Sequence, residues 1–348
     1  MTVGPATRRG HREALVIVVL MALILVTLVA AMTTGSYATP LQQLANIFVD
    51  LVTGQGVAQE NSQAVYVLTV IRIPRLLLSL MAGGALAISG AAYQGLLRNP
   101  MVSPDILGVS SGASTGAILC LLMGASLWVM QGVAFAFGLG AVGVVLLLGR
   151  LIGRGSSKLL VLVLAGVVIS SIFSAFTSLI KYIADSNDKL PAIVFWLMGS
   201  FARSSNWNSL LVLMVAMLVG TIPLMLLRHR MNVLSFGEEE AQTMGINVRR
   251  TRLIIICCAT ILTAATVTLC GNIGWVGLIL PHLMRLVTGP DYRHLLPDCL
   301  LAGGLFMLVV DNTVRILLPG EIPVGIVTSL IGAPLFIYLL FKGRKDWV

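Results

Sequence analysis

MNVLSFGEEEAQTMGINVRRTR, residues 231 to 252, is a polar stretch set between two apolar runs, and its reading decides how the rest of the chain is laid out. Ser235 followed by Glu238 has the spacing of a capping box, in which hydroxyl and carboxylate accept from each other's backbone N–H groups. Glu238, Glu239 and Glu240 then fall in a first helical turn, where the helix dipole favours negative charge. Gly245 supplies the stop, because glycine takes the left-handed conformation that ends helices. The helix between these signals is about nine residues, roughly 14 Å long, against a hydrocarbon layer of about 30 Å. It therefore lies outside the lipid. Arg228, Arg230, Arg249, Arg250 and Arg252 bracket it, and short cytoplasmic loops collect Lys and Arg, so the stretch is expected in the cytosol. It reads either as a handle for another protein or as a solvated loop helix with no partner.

Composition fixes the solvent around the remainder. The 348 residues are 57% hydrophobic and 11% charged, with a mean hydropathy of +0.96, far from a soluble globular domain. An all-α polytopic membrane protein follows, read as one transmembrane domain over residues 1–348 with the 231–252 loop inside it. The net charge of +9 does not indicate nucleic acid, since the basic residues sit at the ends of apolar runs and form no continuous face with interleaved aromatics. Cys120, Cys257, Cys258, Cys270 and Cys299 lack metal-ligand spacing and read as buried thiols. Arg8, Arg9 and Arg12 precede the apolar run Ala14–Met32, which exceeds the roughly 7 to 15 residues of a signal-peptide core. A retained first span is expected.

Ten runs are long enough to span: Ala14–Met32, Leu76–Leu97, Ile106–Met123, Leu127–Leu148, Leu159–Ile180, Leu210–Leu227, Leu253–Leu269, Trp275–Val287, Cys299–Leu318 and Ile322–Phe341. An even number returns both termini to one side, and Lys342, Arg344 and Lys345 match the basic N-terminus in marking that side as cytosolic. This scheme puts 17 of the 23 Lys and Arg inside. Among the exceptions, Arg72 and Arg75 flank Ile73-Pro74 at the mouth of the second span, where pattern alone favours snorkelling. Before them, Thr39-Pro40 starts a short helix with Leu41, Leu44, Ala45, Phe48 and Leu51 on one face, which suits the outer interface.

Within the spans, Ser103-Pro104-Asp105 reads as the cap of the third, and Gly108, Gly112 and Gly116 as a close-packing stripe. Gly166, Ser170, Ser174 and Ser178 form a comparable stripe on the fifth. Hydroxyls repeated along one face in lipid need a neighbouring helix or a wet pathway. Pro191 to Arg203 reads as a re-entrant or packed segment. Pro281, His282 and Arg285 break a short apolar run near the inner boundary, with His282 read as packing. Asp311 and Arg315 stand at i, i+4, and pairing is the default because a lone mid-span acid costs about 2.5–3.5 kcal/mol on insertion scales.

Missing motifs narrow the chemistry. There is no Gly-x-x-x-x-Gly-Lys-Ser/Thr, no His-Glu-x-x-His and no Cys-x-x-Cys. No catalysis, metal site or bound cofactor is expected in this chain, and any ATP-derived energy must come from another polypeptide. An ion-coupled carrier is the other class, with Asp311 as its one clear candidate.

Six ordered blocks give the chain a family likeness: RIPR (72–75), SGAAYQGLLRNPMVSPDILGVSSGA (89–113), WLMGS (196–200), MNVLSFGEEEAQTMGI (231–246), GWVGLILPHLMRLVTGPDYRHLLP (274–297) and EIPVGIVTSLIGAPLFIYLL (321–340). Together they resemble the FecCD-type permeases, the membrane subunits of type II ABC importers for iron-siderophores, haem and vitamin B12. The likeness implies a homodimer of ten-helix subunits in the bacterial or archaeal cytoplasmic membrane. Two ATPase subunits, which hold the ATP and Mg2+, would sit below it, and a periplasmic or lipid-anchored binding protein above. By the same likeness, Gly237, Glu238, Glu239, Ala241, Met244 and Gly245 belong to a coupling helix that docks on an ATPase. Arg72, Arg75 and Arg315 would meet acidic residues of the binding protein, which displaces the snorkelling reading. Asn99 and Met101 match an inner constriction, with Ser156 and Ser157 as a second layer. The Gly166, Ser170, Ser174 and Ser178 face would line the pathway. The cargo expected first is an iron-siderophore, then haem, a corrinoid or a molybdate-type oxyanion.

Overall fold

A computed structural model describes residues 5–35, 37, 39–53, 61–153, 158–317 and 322–343, and all regular structure among them is helical. In chain order the helices are α1 (Pro5–Thr33), α2 (Leu41–Thr53), α3 (Ser62–Tyr66), α4 (Ile73–Leu96), α5 (Val109–Met123), α6 (Leu127–Ile152) and α7 (Lys158–Ile183). They continue as α8 (Lys189–Leu197), α9 (Trp207–Phe236), α10 (Glu238–Thr243), α11 (Val248–Cys270), α12 (Val276–Thr288), α13 (Tyr292–Leu317) and α14 (Val324–Gly343). Seven stretches are long and apolar enough to cross a membrane, and the three shorter apolar helices α5, α12 and α14 complete the ten expected segments.

The bundle is built around α4, which is buried along nearly its whole length and packs on α9, α11, α12 and α13. Its sequence explains why. Gly83 and Gly303 press the backbones of α4 and α13 together, so that a Cβ on either would strike the other's carbonyl oxygen. Gly90 and Gly277 bring α4 and α12 together likewise: a Cβ on Gly90 would strike the Gly277 carbonyl, and one on Gly277 would strike Pro104 and the Leu86 carbonyl. Lipid offers no hydrophobic gain for bringing two helices together, so close packing of small residues supplies the attraction. Polar groups in this core pair within it: Ser89 Oγ donates to the Ala259 carbonyl at 3.2 Å, and Tyr93 Oη lies 2.8 Å from Thr260 Oγ1. By contrast α1 and α7 are largely exposed and apolar, as expected of surfaces that meet lipid or another chain. On α2, Leu41, Ala45 and Phe48 face outward and Ile47 packs inward, while Leu44 is half-buried. The side chain of Leu51 lies outside the described residues.

Several boundaries differ from the sequence reading. The second span starts earlier, as a continuous helical stretch from Ser62 that widens into a π-turn at Val67–Arg72 before α4. The wider turn precedes Pro74, whose ring and missing N–H disfavour a regular helix interior. Ser103 makes no side-chain cap and does not start the third span: it precedes a separate 3-10 turn, Pro104–Leu107, and Gly108, at φ 81°, is the left-handed joint that lets α5 begin afresh. Gly112 and Gly116 pack on α6 at Phe137, whereas Gly108 meets Ser170 of α7. The Pro191–Arg203 stretch is a packed segment. Ser200 N–H donates to the Cys270 carbonyl at 2.8 Å, and Val324 N–H to the Gly199 carbonyl at 2.9 Å, so it is clasped between α11 and α14. Lys189 donates to the Leu122 carbonyl at 2.5 Å and so caps α5.

Candidate functional site

The handle forms, with different ends. Helix α9 runs on through Ser235, whose hydroxyl donates to the Asn232 carbonyl at 2.6 Å and is no cap. The capping box therefore does not exist, because the preceding span overrides the local signal. The break falls at Gly237, at φ 153° and ψ 158°, a conformation that glycine alone adopts readily. A Cβ there would also strike the Glu240 carboxylate. The resulting α10 is six residues. It closes at Gly245, φ 77°, where Gly245 N–H donates to the Gln242 carbonyl and Ile246 N–H to the Ala241 carbonyl, both at 2.9 Å.

The six expected handle residues divide by role. Ala241 is fully buried and pins α10 against its neighbours, Gly237 is buried at the hinge, and the Glu238 carboxylate pairs with Arg252 of α11. Glu239, Met244 and Gly245 are exposed, and Phe236, Glu240, Gln242 and Thr243 extend the same outward surface. Met244 and Phe236 are 66% and 75% exposed, which makes this a mixed acidic and apolar surface on a rigidly hung short helix.

The expected inner constriction lies next to it. Asn99 and Met101 are exposed in the turn after α4, and Asn99 Oδ1 accepts from Met101 N–H at 2.9 Å. Arg98 precedes them with φ 49°, unusual for a side-chain-bearing residue. Its Nε donates to the Leu234 carbonyl in the last turn of α9 at 3.1 Å. Gln94 anchors the turn from within: its amide N–H2 donates to the Val102 carbonyl at 3.1 Å and the Leu278 carbonyl at 3.1 Å, while its oxygen accepts from Arg285. Neither Arg98 nor Gln94 was singled out from sequence, although both lie inside the 89–113 block. The left-handed Arg98 has no local signature. Ser156 and Ser157 lie outside the described residues, as do Arg154, Glu321 and Arg344 to Val348.

The stripe on α7 separates into two parts. Gly166 is buried where a Cβ would strike the Ile106 carbonyl, and Ser170 is half-buried against Gly108. These two serve packing. Ser174 and Ser178 are exposed, and Ser178 Oγ is satisfied by the Ser174 carbonyl at 3.0 Å.

At the opposite end, the arginines are not presented outward. Arg72 and Arg75 are only 4% and 5% exposed. Arg72 donates to the Met32 and Tyr37 carbonyls and to Thr39 Oγ1, closing the C-terminus of α1. Arg75 grips Asp311 through Nη2 at 2.8 Å and Nε at 3.0 Å, so the partner of Asp311 is Arg75, not Arg315. Arg315 turns to the Ala31 carbonyl at 2.9 Å and Asn312 Oδ1 at 3.0 Å. Within this subunit the guanidinium groups of Arg72 and Arg75 tie α1 and α13 to α4, and docking on them would require those bonds to open. His282 is half-buried on α12, and no group of three or more His, Cys, Asp or Glu able to hold a metal occurs among the described residues.

The chain resembles known proteins in both sequence and fold. It is 40% identical over 323 residues to the molybdate import system permease protein MolB of Haemophilus influenzae, covering 93% of this chain and 94% of that one. It is 41% identical over 271 residues to the cobalamin import system permease protein BtuC of Halobacterium salinarum, covering 78% and 72%. It superposes with a TM-score of 0.83, at 40% identity, on an ABC transporter assigned to the metal-chelate type and solved in an inward-facing conformation, covering 94% and 98%. Residues 22–342 match the FecCD transport family, and the chain belongs to that family.

Proposed function

We propose that the chain is the membrane-spanning permease subunit of an ATP-driven importer, carrying a metal chelate from a binding protein to the cytoplasm. Two ATPase subunits would dock on α10, and a second permease copy would complete the pathway, with both termini in the cytosol. The observation that carries this reading is α10: a six-residue helix held by a buried Ala241 and two positive-φ glycines, with Glu239, Glu240 and Met244 turned outward. A solvated loop has no need of so fixed a presentation.

Nucleotide-driven closure of the ATPases would move α10, and with it α9 and α11, between which it hangs. Arg98 would pass that movement to the turn bearing Asn99 and Met101. Motion follows nucleotide state only if the contacts at α10 differ between the two states, which is the thermodynamic condition for coupling. Ser174 and Ser178 would face the pathway from α7.

An iron-siderophore is the first cargo proposed. A molybdate-type oxyanion is the second reading, favoured by the 40% identity to a molybdate permease across nearly the whole of both chains. The ligand of the cognate binding protein, measured by isothermal titration, decides between them. Coupling is tested by Glu239→Lys with Glu240→Lys, which leaves the Glu238–Arg252 pair in place. Loss of ATPase copurification and of uptake, with normal membrane insertion, is expected; normal uptake would refute the assignment of α10.

A further inference from the structure

A cleft of about 730 Å3 opens beside α10, between the last turns of α6 and the first turns of α11. Its wall is apolar, with Leu146, Leu147, Leu253 and Ile256, and its rim carries Arg150, Arg249 and Arg252 against the single acid Glu238. Leu147 and Leu253 are about half exposed, at 53% and 51%. Arg150 and Arg249 are exposed, and neither makes an ion pair or side-chain hydrogen bond among the described residues. Arg252 gives one nitrogen to Glu238, while its Nε is buried and meets no acceptor among the described residues.

A soluble anion would satisfy the rim and leave the leucine wall in water. An apolar helix would satisfy the wall and leave the arginines stranded. A molecule with a phosphate at one end and hydrocarbon at the other matches both, and basic pockets between spanning helices at the cytoplasmic boundary hold anionic headgroups. We propose that this cleft binds one anionic phospholipid, its phosphate between Arg150 and Arg249, and an acyl chain along Leu147 and Leu253. Glu238 and Gln242 of α10 line the same cleft, so the headgroup bridges α6 to the handle and restrains it. The binding claim stands apart from the transport reading, since it rests on the cleft alone.

The experiment is native mass spectrometry of the purified full-length chain titrated with phosphatidylglycerol or phosphatidylcholine. The chain should retain the anionic lipid selectively. Arg150→Gln with Arg249→Gln should weaken it by about thirtyfold, the combined effect of two basic residues at a membrane surface, while Arg228→Gln with Arg230→Gln should not. Leu147→Trp, which fills the wall and keeps every charge, should also expel it. Four results would overturn the proposal: equal retention of the two lipids, equal loss from both arginine pairs, unchanged binding in Leu147→Trp, or displacement by millimolar glycerol phosphate, which would mark a site for a free anion.

Discussion

The Arg98 guanidinium donates to the carbonyl of Leu234 at 3.1 Å, joining the turn after α4 to the end of α9 three residues before the chain breaks at Gly237. Arg98 also holds φ 49°, so the bond and the unfavourable backbone conformation occur together. Removing the side chain with Arg98→Ala deletes the bond and keeps most of the backbone cost. At about 0.5–1.5 kcal/mol for a hydrogen bond, uptake should fall by roughly two- to tenfold while the ATPase still copurifies. Uptake in vesicles and pull-down of the ATPase separate these two outcomes. A loss of both would move Arg98 from linkage to simple folding.

Arg75 and Asp311 form a buried pair 236 positions apart. Breaking such a pair from one side strands a charge at a cost of about 3–5 kcal/mol, whereas replacing both partners with apolar groups of like volume is often neutral. Arg75→Met and Asp311→Leu should each lower the thermal midpoint in detergent sharply, and the double variant should recover most of the loss. Additive losses would show that the two groups act separately. The same experiment bears on ion coupling, since uptake sustained by the apolar double variant leaves no titrating role for Asp311.

Glycine substitutions should divide by what their Cβ would meet. At Gly90 a Cβ strikes the Gly277 carbonyl, while at Gly132 and Gly140 nothing lies within 4 Å. Gly90→Val should abolish folded yield, measured by gel-filtration fluorescence, and Gly132→Ala and Gly140→Ala should leave it unchanged. A folded Gly90→Val would mean that α4 and α12 can separate without loss.

Asp291 joins α9 to the start of α13. Burial pushes its carboxyl up, but the Arg293 N–H, the Asn232 amide and the Arg293 charge outweigh that and hold it below the usual carboxylate range. A depressed folded pKa contributes stability that is present above the unfolded value, about 3.9, and is lost as pH falls through the folded one. The thermal midpoint should therefore drop on acidification below about pH 4, less steeply in Asp291→Asn. Identical acid profiles for the two proteins would remove Asp291 from the balance.

Most of the fold was legible because hydropathy is a one-dimensional signal: all ten apolar runs reappear as helices, and within the 231–252 interruption α10 forms a short helix outside the long spans. What depended on local spacing fared less well. The Ser235 to Glu238 capping pattern lost to the continuation of α9, whose hydrogen-bonded ladder already satisfies the groups that a cap would serve. Asp311 and Arg315 stand four apart, yet an arginine on another helix reached the carboxylate in a better geometry, a contact no spacing rule can show. The serines of α7 look alike in sequence, and only the approach of the 3-10 turn at Pro104–Leu107 separates packed Gly166 from exposed Ser174 and Ser178. Asp298, buried on α13, gave no sequence warning beyond being an acid in an apolar run.

Site-specific photocrosslinking in living cells, from position 239 on the exposed side of α10, tests the central claim most directly. The account predicts one dominant adduct, an ATPase subunit, with a yield that changes when ATP hydrolysis is blocked. Adducts to lipid alone, with nucleotide state making no difference, would contradict it.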